Sequence, residues 1–228
     1  MTNDQNERWD KVRSVWEIIG RLRGEGGCPW DRKQTPESLQ TYLIEEAHEA
    51  AVAVRSGRIG EVSEELGDLL FMVFFVTRLY EERGDFKLEE VCEQVHEKMV
   101  RRHPHVFGDV TVHSTREVLD NWEKIKAGEK NGHVKPSDSI PESLPALMRA
   151  YRLLARVAPK NGSGWNDRSA RAEEYVEKSG KLGRDMLDGG QVTPGAFGEV
   201  LLEIANLARL HGYRPEDCLH DALRSLDE

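Results

Sequence analysis

The chain has 228 residues, 38% hydrophobic and 32% charged, with 9 prolines and a net charge of −9. That length allows one large domain or two small ones, and the net negative charge argues against nucleic acid held by bulk electrostatics. No stretch is long and apolar enough to span a bilayer, and Met1 to Asp10 lacks the apolar core of a signal peptide.

In chain order the pattern predicts helices separated by clear punctuation. Trp9 to Arg23 carries Val12, Trp16, Ile19 and Leu22 on one face. Gly24 to Trp30 is turn-rich, and Trp30 reads as the anchor of that loop. Thr35-Pro36 gives an N-cap followed by proline at the first helical position, opening a helix that stops at Ser56-Gly57. A second long helix begins near Glu61 and ends before Gly84. Another runs from about Leu88 to Arg102 and is halted by Pro104. Ser114-Thr115-Arg116-Glu117 is a capping box opening a segment through Lys126. Gly128 to Pro145 is polar and proline-rich. No stretch alternates long enough for a strand, so the expected fold class is an all-α helical bundle.

The second half echoes the first in the same order. Leu144–Val157 resembles the opening helix, and Gly162–Trp165 resembles Gly27–Trp30. Glu173–Glu177 echoes Glu45–Glu49, Val200–Leu210 echoes Leu69–Leu79, and Cys218–Leu226 echoes Cys92–Val100. A duplicated unit is expected: residues 1–130, a linker at 131–143, and a second lobe at 144–228.

Glu46 and Glu49, then Glu65 and Asp68, form two i,i+3 pairs on consecutive helices. Leu39, Leu43, Glu46, Ala50 and Ala53 share one stripe; Val62, Glu65, Leu69, Met72 and Val76 share another. Carboxylates in apolar stripes raise one another's pKa values, and a hard divalent cation such as Mg²⁺ resolves the conflict. Lys98, Arg101 and Arg102 lie near a helix end, with Lys98 and Arg102 on one face able to clamp a polyphosphate. The alternative is favourable charge at a helix C-terminus. A spare carboxylate, Glu45 or Glu64, is a candidate to orient the attacking water. Trp122, near Lys124 and Lys126, can stack on a base or pack internally.

Gly-Cys-Pro-Trp-Asp at 27–31, Glu-Glu-x-x-Glu at 45–49, Glu-Leu-Gly-Asp at 65–68 and Arg-Arg-His-Pro-His-Val-Phe at 101–107 together resemble the MazG family of nucleoside triphosphate pyrophosphohydrolases. Ile140–Leu147 is similar to the start of that family's second domain. The resemblance implies a helical, oligomeric fold, expected here as a homodimer. It also implies Mg²⁺-dependent hydrolysis of a nucleoside triphosphate to the monophosphate and pyrophosphate, with Mn²⁺ able to substitute. It makes Glu46, Glu49, Glu65 and Asp68 the metal ligands, Lys98 and Arg102 triphosphate contacts, and Trp122 a nucleotide contact. The role expected is clean-up of the nucleotide pool. Three widely spaced cysteines, Cys28, Cys92 and Cys218, fit a reducing cytoplasm and no zinc site.

Two other readings stand beside it. Glu45-x-x-His48 and Glu93-x-x-His96 match the spacing of di-iron carboxylate bundles, although His48 and Glu46 lie on opposite sides of their helix. A non-catalytic helical partner-binding protein would need no carboxylates in a stripe.

The second lobe departs from the family pattern. Glu173, Glu174 and Glu177 keep the first acidic motif, while an ungapped match from Trp165 puts Lys181 and Arg184 there instead. Ala196 and Glu199 stand at the Glu65 and Asp68 positions. In two-lobed relatives the second lobe can carry activity; here the expectation is a degenerate repeat, with catalysis in residues 1–130.

Overall fold

The computed structural model describes residues 3–129, 135, 138, 140–158 and 163–226. The described residues form helices and no strand, in two compact units divided between Glu129 and Lys130.

The first unit holds α1 (Asn3–Arg23), α2 (Pro29–Arg32), α3 (Pro36–Ser56), α4 (Ile59–Arg83), α5 (Leu88–Arg102), α6 (Pro104–Phe107) and α7 (Thr115–Gly128). Helix α3 starts where the sequence says it should. The Thr35 hydroxyl accepts from the Ser38 amide at 3.2 Å, and the Ser38 hydroxyl accepts from the Thr35 amide at 2.9 Å. It ends at Gly57, whose φ of 70° is left-handed and cheap only for glycine. The chain then reverses into α4, which packs along α3 and also meets α1 and α5.

Ile19, Leu39, Met72, Phe74, Phe75 and Leu79 form the buried core of this unit, with Trp16, Leu43 and Val76 packed against it. The apolar stripes of α3 and α4 thus face inward as their spacing requires. Helix α5 stops at Arg102, and His103 ahead of Pro104 links it to the single turn of α6, its Nδ1 2.6 Å from the Met99 carbonyl.

Two local expectations are corrected. Trp30 lies in α2, half exposed, with an edge-on ring contact to Tyr42. The loop is held instead by Arg23, which donates to the Asp31 carbonyl at 2.5 Å and to Glu82 at 2.7–3.0 Å. A guanidinium with five donors ties three chain segments together, which one indole N–H cannot do. At the start of α7, Ser114 accepts from the Glu117 amide, but Glu117 reaches back to the His113 amide rather than to Ser114.

The second unit holds α8 (Ala146–Val157), a 3₁₀ turn (Ser163–Trp165), α9 (Arg168–Leu187), α10 (Pro194–Leu210) and α11 (Pro215–Arg224). Most of the expected linker at 131–143 lies outside the described residues, although Ile140 is buried. Inside this unit α10 packs on α9, α8 and α11, as α4 packs on α3, α1 and α5.

Matching the N-caps Thr35 and Asp167 also matches the left-handed glycines Gly57 and Gly189. That register puts Lys178 and Lys181 in the places of Glu46 and Glu49, and buried Leu182 in that of buried Ala50. Neither the Glu173–Glu177 match nor the ungapped Lys181–Arg184 match survives, because capping residues fix a helix's register better than a run of similar letters. In α10 the burial pattern of Glu203, Ala205 and Asn206 repeats that of Met72, Phe74 and Phe75. This register keeps Ala196 opposite Glu65 and Glu199 opposite Asp68.

Candidate active site

The α3–α4 hairpin builds the acidic site. Glu49 and Glu65 are equally far along the chain from Gly57, as are Glu46 and Asp68. Reversal at that glycine therefore brings the two pairs level. Carboxylate oxygens of Glu46, Glu49 and Glu65 all lie within 4.8 Å of one another. Asp68 stands outside this trio, yet near enough for its charge to raise the pKa values of both Glu46 and Glu65.

Glu46 and Glu65 are partly buried, whereas Glu49, Asp68, Glu45 and Glu64 are exposed. The acids are more open to solvent than stripes of apolar neighbours imply. Loss of water raises the Glu46 pKa first, followed by repulsion from Glu49, Asp68 and Glu45. For Glu65 the order is loss of water, then Glu49, Asp68, Glu64 and Glu46. Both shifts mean that the folded chain resists collecting this negative charge.

The donor set fits a hard divalent cation: three convergent carboxylates, a fourth beside them, and no nitrogen or sulfur among them. His48, Glu93 and His96 are exposed and stand outside the convergent group, so the Glu-x-x-His pairs build no shared centre among the described residues.

The basic residues sit on α5, which packs on α4 and α7. Lys98 is exposed and makes no hydrogen bond or ion pair among the described residues. Arg101 and Arg102 both turn to Glu129, at the end of α7. Arg101 Nε donates to it at 2.8 Å; Arg102 donates through Nε at 3.2 and 3.3 Å and through Nη2 at 2.5 Å. Hydrogen bonds from the two guanidiniums, Arg102 first, hold the Glu129 carboxyl at a pKa of about 2. The Arg102 guanidinium also lies over the Trp122 ring at 5.3 Å, and His103 meets that ring edge-on at 4.9 Å. Trp122 is therefore partly buried and assembled with Arg102 rather than free to swing. Sequence reasoning missed Glu129. Its only signal was an acid just past the end of a helix of balanced charge, which is too common to single out.

Residues 34–107 match the MazG nucleotide pyrophosphohydrolase domain. The chain is 39% identical over 92% of its length to the nucleoside triphosphate pyrophosphohydrolase/pyrophosphatase MazG of Thermotoga maritima, covering 80% of that protein. This chain belongs to the MazG family. It is 36% identical over 93% of its length to the nucleoside triphosphate pyrophosphohydrolase of Escherichia coli K12, covering 83% of that protein. It is also 47% identical over 60% of its length to YabN of Bacillus subtilis, an uncharacterised protein of which it spans 28%. The matched domain contains Glu46, Glu49, Glu65, Asp68, Lys98, Arg101 and Arg102, and stops short of Trp122.

The second unit has no comparable acid cluster among the described residues. Lys178, in the place of Glu46, puts its ammonium 2.9 Å from Glu203, 3.1 Å from Glu174 and 3.8 Å from Glu199. Glu203, 1% exposed, also accepts from Arg171 at 3.2 and 3.4 Å. Acids there are neutralised by side-chain cations.

Proposed function

We propose that this chain hydrolyses nucleoside triphosphates to the monophosphate and pyrophosphate with Mg²⁺ as cofactor, Mn²⁺ substituting, in the service of nucleotide-pool clean-up. The observation that carries this reading is the convergence of Glu46, Glu49 and Glu65 within 4.8 Å, with the pKa values of Glu46 and Glu65 raised, in a chain of the MazG family. Glu46, Glu49, Glu65 and Asp68 would hold the cation, which when bound supplies Lewis-acid neutralisation of phosphate charge.

The chain's own residues do the rest. Lys98, Arg101 and Arg102 bind the triphosphate oxygens, and arginine does so bidentately. Trp122 presents a ring to the nucleotide, its orientation fixed by Arg102 and His103. Glu45 and Glu64, exposed beside the acid trio, can each accept a hydrogen bond from the attacking water and take its proton. Attack at the α-phosphorus breaks the α–β anhydride and releases pyrophosphate.

Catalysis belongs to the first unit, and the second supports or helps oligomerise. The conversion of its first acidic pair to Lys178 and Lys181 favours this division. A homodimer in the cytoplasm is the expected working state. Ile44, Val52, Leu66, Leu70 and Val73 on α3 and α4 are each at least 39% exposed, an apolar surface in keeping with a second copy.

A panel of canonical and modified triphosphates with Mg²⁺, products resolved by phosphorus NMR, tests the reading. Pyrophosphate with nucleoside monophosphate is expected. Orthophosphate with diphosphate as the main products places the cut at the terminal phosphate and refutes it.

A further inference from the structure

Arg101 and Arg102 are adjacent cations, and adjacent cations repel. Yet their guanidiniums converge on one carboxylate, Glu129, through donor distances of 2.5–3.3 Å. Arg101 is half exposed, whereas Arg102 and Glu129 keep only 16% and 19% of their side-chain surface. The plane of Arg102 is further set by Trp122 beneath it. Two forks aimed at one oxyanion make a geometry that a phosphate group, with the same kind of acceptor oxygens, also satisfies. Glu129 thus occupies the place that a phosphate would take between them.

We propose that Glu129 is a tethered counter-anion: it keeps Arg101 and Arg102 converged in the free enzyme, and a polyphosphate must displace it to bind. It acts through the two arginines and is a positioning residue. The inference rests on reading those arginines as phosphate contacts. Because every incoming anion must displace the tethered carboxylate, it weakens the binding of each by the same factor. It also returns to its arginines when products depart. Affinity is given up in exchange for product release.

Steady-state rates of the full chain with a nucleoside triphosphate and Mg²⁺ test this. Glu129→Gln keeps the shape but removes the charge. Its KM is expected to fall by about 3- to 10-fold, the range set by a pair of partly exposed ion pairs, with kcat unchanged or lower. Competitive inhibition by inorganic pyrophosphate should tighten by a similar factor. Glu129→Asp restores the charge and should return KM to within about twofold of the wild type, since the competitor is again present. An unchanged or raised KM in Glu129→Gln overturns the proposal, because a purely structural Glu129 could only loosen the site when neutralised. Arg102→Gln separates the two layers. If it leaves KM unchanged, the phosphate-contact reading fails and takes this inference with it. If it raises KM while Glu129→Gln does not lower it, only the role of Glu129 fails. Should Glu129→Gln fold poorly, the wild-type chain gives the answer: the ¹³C carboxyl resonance of Glu129 moves as pyrophosphate is added. A stationary resonance under inhibiting pyrophosphate refutes the displacement.

Discussion

Removing the Lys178 ammonium should damage the second unit more than removing the whole ionic trio around it. Glu203 is 1% exposed and takes its nearest cationic hydrogen bond, 2.9 Å, from Lys178, with Arg171 at 3.2 and 3.4 Å. Lys178→Met leaves a buried carboxylate with one cation. Losing a partner from a buried pair costs about 3–5 kcal/mol, and the surviving Arg171 contact places this case near 3 kcal/mol. The variant Arg171→Leu with Lys178→Met and Glu203→Met removes all three charges together. Leucine and methionine are what the first unit carries at the places of Arg171 and Glu203, as Leu39 and Met72, both in its apolar core. Replacing a buried charged group by packed apolar residues is neutral or stabilising by about 1–4 kcal/mol. Hydrogen exchange of amides in α9 and α10, followed by mass spectrometry, reads this unit by itself, whatever the first unit does. The expected order of local stability places the triple variant at or above wild type and the single variant well below. A single variant within about 1 kcal/mol of wild type beside a collapsed triple variant would show that the network, rather than apolar packing, holds this unit together, and would refute the reasoning.

The other expectations concern the acidic site. Glu49→Gln and Asp68→Asn should each abolish turnover while melting temperature without metal stays level or rises, since one like charge is gone; near-wild-type rates in either variant remove the ligand assignment. Glu46 and Glu65 have folded pKa values above 4.5, so protons bind the folded chain more tightly than the unfolded one. In EDTA, their contribution makes melting temperature fall as pH rises from about 4.5 through the raised values, and saturating Mg²⁺ should flatten that fall. Glu129 works in the opposite sense: its contribution is complete above 4.5 and is lost as pH falls toward about 2. Lys98→Ala should raise KM about tenfold or more with little change in melting temperature, the loss of one charge-assisted contact; equal losses of stability and activity would return it to a helix-end charge. Glu174→Gln with Glu177→Gln should keep most turnover and Glu46→Gln with Glu49→Gln should lose it; the reverse would move catalysis to the second unit.

Much of this molecule is local in origin and therefore legible in its sequence. Thr35-Pro36, Gly57, Gly84 and Pro104 set helix ends through backbone geometry that one or two residues decide. The 3.6-residue period put Leu39, Ala50 and Ala53 inside, and Met72 with them. The two acidic pairs stand at equal distances from Gly57, and reversal there brings them level. The tertiary structure alone decided which carboxylates converge: Glu46, Glu49 and Glu65 close up, while Asp68 stays at their edge, because the offset between two packed helices depends on side-chain interdigitation rather than on either helix's sequence. It likewise decided that Arg23, not Trp30, fastens the first loop, and that Arg102 finds Glu129 across 27 residues. It also put Lys178 where the repeat once suggested an acid. Each of these is a contact between distant segments, made by long side chains with several staggered states, and only the packed backbone selects among them.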